Sequence, residues 1–268
     1  METLLILIPL LLACGVVAGL LAGMLGVGGG IVIVPMLYHV FIHVGVDPAV
    51  VMPLAVGTSL ATIVVTASMS SRSHHARGNV DVPLLRRWIP AVLVGVVVGT
   101  ALGSILPGET LRVLFGAFMA LIATHMLLTA GRSVALTDTL PGKWGQRGAA
   151  TGIGGLAALL GVGGGTLVVP YLNFFNFPIH RAVGSSAVLG LVVAIPASIG
   201  YILSGWGAAG LPAGSTGYVN WLAFGLIVPM TMLFAPLGVR LCQRLDVTRL
   251  RRAFAVLLVA VGIKMLFF

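Results

Sequence analysis

Charged residues are scarce in this chain, and acidic ones most of all. Of the 268 residues, 8% are charged and 59% are hydrophobic, with six Asp or Glu against 15 Lys or Arg. So few polar groups cannot cover the surface of a soluble globule. The composition therefore excludes a soluble protein and indicates an integral membrane protein.

The few carboxylates lie only in loops or at the ends of hydrophobic segments. Proton relays and cation sites usually need a carboxylate within a membrane span, so a metal-ion or sodium transporter is disfavoured. The six acidic residues are Glu2, Asp47, Asp81, Glu109, Asp138 and Asp246.

Other site chemistries lack their residues too. Cys14 and Cys242 both lie in apolar segments, which gives no disulfide framework. Four histidines have neither a third ligand nor a carboxylate partner, so no metal site is predicted. The basic residues border membrane spans, where topology and anionic headgroups explain the +9 charge better than nucleic acid does. No cofactor is predicted, and no catalytic set can be assembled, so the chain is not expected to be an enzyme. The histidines are His39, His43, His74 and His75.

Long apolar runs make up most of the chain, and about eight are near bilayer length. The first, Leu4–Met24, has no basic residue before it and is too long for a signal peptide, so we interpret it as part of the mature protein.

Two sequence elements occur twice. LGVGGGIVIVP at Leu25–Pro35 returns as LGVGGGTLVVP at Leu160–Pro170, with eight of eleven positions identical. Val56-Gly57-Thr58-Ser59 returns as Val183-Gly184-Ser185-Ser186. Such duplication is typical of transporters built from two homologous halves. It predicts a first transmembrane repeat at residues 1–137, a cytoplasmic linker at 138–147 and a second repeat at 148–268.

Loop charges indicate how the halves are related. The loop after Met69 carries four arginines, whereas its counterpart after Leu203 carries no basic residue, and the next pair of loops shows the reverse bias. By the positive-inside rule the two repeats are inverted. An inverted arrangement requires each half to cross the membrane an odd number of times, although each has four hydrophobic segments.

The glycine cluster resolves this conflict by splitting one segment into two short arms. The arms Gly148–Leu160 and Thr166–Phe177 are about 12 residues each, or about 18 Å, against a core of ~30 Å. We therefore predict an all-α fold of two inverted repeats, each a glycine-broken re-entrant helical hairpin plus three transmembrane helices. Thirteen of the 15 basic residues are then cytoplasmic. Whether Leu4–Met24 spans the membrane unaided is left open.

Each glycine unit is predicted to present a helix N-terminus near the membrane midplane, since Pro35 and Pro170 are accommodated early in the helix that follows. Free N–H groups and the helix dipole at such an end suit an anion. The alternative is that the glycines only allow close helix packing. Three consecutive glycines exceed what packing needs, which favours a binding site.

The second repeated element places two hydroxyl pairs, Thr58-Ser59 and Ser185-Ser186, within apolar segments. Hydroxyl groups can donate hydrogen bonds to an oxyanion without burying a charge. The alternative, left open, is that they bond back to the preceding helical turn.

Three basic or titratable residues are candidates for gating or coupling. His125 and Lys264 lie deepest in apolar segments and at equivalent positions of the repeat, although packing and snorkelling are alternatives. Arg181 could attract anions at the cytoplasmic mouth or serve as a topological anchor.

Together, the two LGVGGG copies with a following proline and the Gly-Thr-Ser and Gly-Ser-Ser elements resemble the TauE/SafE sulfite exporter family over essentially the whole chain. The resemblance implies passage of sulfite, sulfonates or related anions across the bacterial inner membrane. It also implies a substrate-binding set made of Gly28, Gly29, Gly30, Thr58, Ser59, Gly163, Gly164, Gly165, Ser185 and Ser186.

The sequence thus predicts a multi-pass secondary transporter that exports a small sulfur oxyanion by alternating access at a midplane site between the repeats. Its expected partners are the anionic substrate and the lipid bilayer, and a homo-oligomer is left open. A passive anion channel using the same donors is the alternative, and a membrane scaffold subunit is a third reading.

Overall fold

The computed structural model describes residues 2–25, 29–128, 137, 139–242 and 247–267. In this part of the chain there are ten α-helices and one short β-hairpin. The helices are α1 Glu2–Leu25, α2 Gly30–His43, α3 Pro48–Ala76, α4 Val82–Ile105, α5 Gly108–Leu128, α6 Lys143–Leu160, α7 Gly165–Asn173, α8 Ile179–Ser204, α9 Trp221–Cys242 and α10 Val247–Phe267; the antiparallel strands are β1 Ser215–Thr216 and β2 Val219–Asn220.

Helix starts follow from local capping chemistry. The Asp47 carboxylate accepts a hydrogen bond from the Ala49 N–H at 2.9 Å, and the Asp81 carboxylate accepts one from Leu84 at the same distance. Each aspartate precedes a helix with proline in its first turn. A carboxylate cap together with an early proline is a strong helix start signal. These two acidic side chains therefore stabilise helix starts.

Among the described residues, four helices are long and apolar enough to cross a membrane, namely α3, α4, α8 and the Trp221–Gly238 part of α9. The fold is thus that of a helical multi-pass membrane protein, as predicted. α3 is the most buried of the four, so it forms the centre of the molecule.

The helices on either side of the glycine clusters differ in length from the predicted arms. α6 begins at Lys143, inside the range predicted as linker, and has 18 residues, or about 27 Å. α7 has 9 residues, or about 14 Å, and α1 has 24, or about 36 Å. α1 is therefore long enough to span, whereas α7 is far too short. The re-entrant arrangement stays a prediction.

Helix packing follows one pattern in both halves. α1–α5 correspond in order to α6–α10. α1 packs on α9, and its counterpart α6 packs on α4. α2 packs on α3, and its counterpart α7 packs on α8. The remaining two pairs, α3 with α8 and α5 with α10, each join a helix to its own counterpart. Exchanging the halves reproduces every one of these pairs. Each half therefore packs its first helix against the other half.

Glycines set the closeness of the crossed contacts. A Cβ atom added to Gly99 of α4 would lie 2.1 Å from the Gly155 carbonyl oxygen of α6, and one added to Gly238 of α9 would lie 2.2 Å from the Leu20 oxygen of α1. These two contacts occupy equivalent positions in the repeat. Such backbone contact is typical of small residues at membrane helix interfaces.

Candidate functional site

The second glycine cluster forms a buried turn between α6 and α7. Gly161 ends α6 in the left-handed conformation, with φ 67°, which only glycine adopts without strain. The Val162 N–H bonds back to the Ala157 oxygen at 3.1 Å, closing the end of α6. Residues 161–166 are all buried. We call this stretch the second glycine turn.

The backbone N–H groups of this turn differ in whether they have a hydrogen-bond acceptor. The Thr166 N–H bonds to the Gly163 oxygen and the Leu167 N–H to the Gly164 oxygen, both at 3.2 Å. Within the described residues, the N–H groups of Gly163, Gly164 and Gly165 donate to no other group. Buried N–H groups without partners are rare, because each costs about as much as a lost hydrogen bond. Three in succession at the start of a helix form a set of donors suited to an anion.

The first glycine cluster also precedes a helix where it is described, but its backbone differs, because Gly164, the equivalent of Gly29, is right-handed with φ −52°. Gly29 is left-handed, with φ 78°, and its oxygen accepts hydrogen bonds from Val32 and Ile33 as α2 begins. Gly28, predicted as part of the site, lies outside the described residues. The sequence prediction of a helix N-terminus after each glycine cluster is therefore confirmed at Gly30 and Gly165.

The structure brings the two glycine units into contact. A Cβ atom added to Gly30 would lie 2.5 Å from the Gly161 oxygen. The Ser59 hydroxyl donates to that same oxygen at 2.8 Å, 102 residues along the chain. Thus the start of α2, the middle of α3 and the second glycine turn meet at one place. The tertiary structure joins three of the predicted elements there.

The first hydroxyl of each repeated motif receives a hydrogen bond instead of giving one. The Thr58 oxygen accepts from the Asn220 N–H, and the Ser185 oxygen accepts from the Asp81 N–H, both at 2.9 Å. Asn220 and Asp81 each precede and cap the fourth helix of a repeat. In the described part of the chain neither hydroxyl has an acceptor for its own hydrogen.

The glycine before each of these hydroxyls makes the contact possible. A Cβ atom added to Gly57 would lie 2.2 Å from the Tyr218 oxygen, and one added to Gly184 would lie 2.1 Å from the Asn79 oxygen. The repeated motif therefore docks the segment that leads into α9 onto α3, and the segment that leads into α4 onto α8. We call these two contacts the docking contacts. Sequence reasoning missed them, although the repetition of Gly57 at Gly184 was their signal.

The second hydroxyls behave differently from each other. Ser59 reaches across to Gly161, as described above, whereas Ser186 donates to the Val183 oxygen of its own helix at 2.8 Å. Ser186 thus makes the back-bond that was the alternative reading for these residues. The hydroxyl hydrogens of Ser59 and Ser186 already have protein acceptors.

Replacing Thr58 with valine should destabilise the protein, because the buried Asn220 N–H loses its acceptor. We expect a loss of about 1–3 kcal/mol in the free energy of unfolding, measured by denaturation in detergent micelles. Thr62→Val is the matched control, since that hydroxyl only bonds back to the Ser59 oxygen of its own helix. Equal stability of the two variants would contradict the docking role.

The three gating candidates have different surroundings. The Arg181 guanidinium lies 3.5 Å from the Asp81 carboxylate, so an ion pair joins α8 to the first docked segment. The His125 ring packs edge-on against Phe174, at the end of α7, with ring centroids 5.1 Å apart. Lys264 is exposed on α10. Arg181 thus already has an anionic partner within the protein.

A separate cavity of about 290 Å³ opens between α2, α3 and α5. Among the described residues that line it, Glu109 alone is charged; it forms an ion pair with Arg112, whose guanidinium also donates to the Met265 oxygen. Because Arg112 is neutralised by Glu109, this cavity offers an anion little attraction. The lining residues are Tyr38, Pro48, Ala49, Pro107, Gly108 and Glu109.

The described helices define a multi-pass membrane protein, and comparison with known proteins identifies its class as a membrane transporter. The family model described as "Sulfite exporter TauE/SafE" matches residues 11–265. The chain belongs to this family, and it lies in the bacterial inner membrane as a multi-pass protein.

The curated relatives cover nearly the whole chain. A "Probable membrane transporter protein" of Haemophilus influenzae is 34% identical over 96% of this chain and 97% of the relative. Relatives described as probable membrane transporter proteins in Methanocaldococcus jannaschii and Xylella fastidiosa are 27% and 30% identical, over 98% and 93% of this chain and 96% and 91% of their own. None of these descriptions names a substrate or an enzymatic activity. No solved structure matches the chain significantly.

Proposed function

We propose that this chain is a secondary transporter that exports a small sulfur-containing oxyanion, sulfite or an organosulfonate. The family description supports a sulfur oxyanion as substrate. The observation that carries the choice of an anion is the second glycine turn, where three successive buried N–H groups lack a protein acceptor among the described residues.

The physical basis is the same as at other helix N-termini that hold anions. The N–H groups of Gly163, Gly164 and Gly165 lie at the start of α7, where the helix dipole adds positive potential. A protein interior strengthens hydrogen bonds relative to water, so neutral donors suffice to hold a single negative charge. Glycine at each position lets an anion approach the backbone closely.

The two docking contacts support alternating access. One attaches the segment before α4 to α8, the other attaches the segment before α9 to α3, and they occupy equivalent positions of the two repeats. In an inverted arrangement they lie toward opposite sides of the membrane. We propose that the repeats rock about the glycine turns and that the docking contacts loosen in alternation.

We propose roles in this scheme for two of the predicted gating or coupling residues, Arg181 and His125. Arg181 pairs with Asp81 beside the contact at Ser185, so this ion pair would strengthen closure on the cytoplasmic side. His125 of α5 contacts Phe174 at the far end of α7, so this contact would couple movement of α7 to α5. Lys264 is placed on α10, the neighbour of α5.

Transport by purified protein tests the proposal directly. Proteoliposomes should take up sulfite, thiosulfate, sulfoacetate, taurine or sulfate selectively, with saturable rates and faster uptake when a second transported anion is loaded inside. Runs with and without a pH gradient identify proton coupling. A channel would show neither saturation at low concentration nor exchange. Absence of flux for every anion in this panel would refute the transport proposal.

A further inference from the structure

Thr166, the residue directly after the second GGG sequence, has a buried hydroxyl without a partner. Its side chain is 3% exposed, and its oxygen makes no hydrogen bond within the described part of the chain. A buried hydroxyl left unpaired is costly, and it calls for a ligand or another specific cause. The buried threonines of α3 differ from Thr166 in this respect. The hydroxyls of Thr58, Thr62 and Thr66 all have protein partners.

The position of Thr166 directs its side chain toward the other unpaired donors. It is the second residue of α7, and side chains in a helix tilt toward its N-terminus. The unpaired N–H groups of Gly163, Gly164 and Gly165 lie at that N-terminus. One hydroxyl and three amides therefore form a set of four donors over four consecutive residues. The helix start and the orphan hydroxyl are independent observations that call for the same kind of ligand.

α3 and α8 enclose this set. One face of α3 runs along it: Ser59 bonds to Gly161, and Ala67 lies 3.8 Å from a Cβ atom added to Gly190 of α8. That same Cβ atom would lie 3.6 Å from the Gly164 nitrogen. These wall residues are small and uncharged, and by excluding water they strengthen the hydrogen bonds of the turn.

The first repeat lacks the fourth donor. The residue equivalent to Thr166 is Ile31, which is 1% exposed and cannot form a hydrogen bond through its side chain. The duplicated cluster is therefore chemically unequal at the position where its helix begins. A side-chain donor at the helix start is therefore present in the second repeat only.

We propose that Thr166 is a substrate-binding residue whose hydroxyl, with the amides of the second glycine turn, holds the three oxygens of a sulfite or sulfonate head group. This inference rests on the proposed function and places the site on one of the two glycine turns. Four donors around a compact group favour a pyramidal or tetrahedral head over a planar carboxylate, which has two oxygens.

Thr166→Val tests the proposal, because valine keeps the shape of threonine and removes the hydroxyl. In proteoliposomes we expect the KM for sulfite or methanesulfonate to rise about tenfold, the effect of losing one hydrogen bond to a charged group. Thr166→Ser should restore the wild-type KM. Thr100→Val is the matched control, since Thr100 is also buried and its hydroxyl is also unpaired among the described residues, but it lies on α4 against Gly200. This control should transport as the wild type does.

Direct binding separates this proposal from the transport proposal. Sulfite and methanesulfonate should raise the unfolding temperature of the detergent-solubilised wild type, and acetate should not. The Thr166→Val protein should need about tenfold more anion for the same shift. Flux without any effect of Thr166→Val on KM or binding would overturn the role of Thr166 alone. Anion binding that depends on Thr166, without flux, would refute transport but not the site. No stabilisation of the wild type by either anion would overturn the site.

Discussion

Gly164→Leu should abolish anion transport while the protein still inserts into the membrane. A Cβ atom at this position would lie 3.0 Å from the Gly190 nitrogen of α8, and the rest of the leucine side chain would compete for the space before the unpaired N–H groups. We expect uptake in proteoliposomes to fall by at least about a hundredfold, as when a site loses several hydrogen bonds to a charged ligand.

Gly152→Leu is the matched control for this prediction. Gly152 lies on α6 nine residues before the turn begins, is exposed, and has no atom within 4 Å of an added Cβ. This variant should insert and transport as the wild type does, since leucine is also the better helix former. Wild-type flux in Gly164→Leu, at equal protein in the vesicles, would remove the second glycine turn from the substrate site.

Gly95→Leu should cause a large loss of stability. A Cβ atom on Gly95 of α4 would lie 2.0 Å from the Thr151 oxygen of α6, so the two helices would have to separate. Because this oxygen belongs to the backbone, no side-chain rotation can relieve the clash. We expect the free energy of unfolding to fall by about 3 kcal/mol or more, since overpacking in a close interface commonly costs that much.

Thermal unfolding in detergent measures this effect, with Val94→Leu as the control. Val94 neighbours Gly95 on the same helix but is 59% exposed, so its added methylene meets no packed neighbour. The control should unfold within about 0.5 kcal/mol of the wild type. A Gly95→Leu protein as stable as the control would show that α4 and α6 can move apart freely.

The sequence predicted the features that depend on local chemistry. The helices break at both glycine clusters, with α6 ending at Leu160 and α2 and α7 beginning at Gly30 and Gly165, because a run of three glycines neither favours nor continues a helix. Hydropathy over bilayer-length windows likewise predicted the four described helices that are long and apolar enough to cross a membrane, since a crossing helix must span the hydrocarbon core.

The start of α6 at Lys143 was not predicted from the sequence. The polar residues from Lys143 to Arg147 read as linker, yet they form the first turns of α6. The buried Gln146 side chain explains the difference, since it accepts from the Trp88 indole at 3.3 Å and donates to the Pro141 oxygen. A helix start held by a partner 58 residues away has no local signal.

The candidate site likewise has some features that were predictable from the sequence and others that were not. The sequence by itself determined the class of the protein, its duplication and the breaks between helices at the two glycine clusters, because composition, repetition and helix breaking can all be read along the chain. Only the tertiary structure decided the roles of the hydroxyls. Thr58 serves Asn220, 162 residues away, whereas the hydroxyl of Thr166, which looked like an ordinary helix residue, is left without a protein partner among the described residues. Which polar groups find partners depends on how the two repeats pack, and that packing joins residues that are distant in the chain.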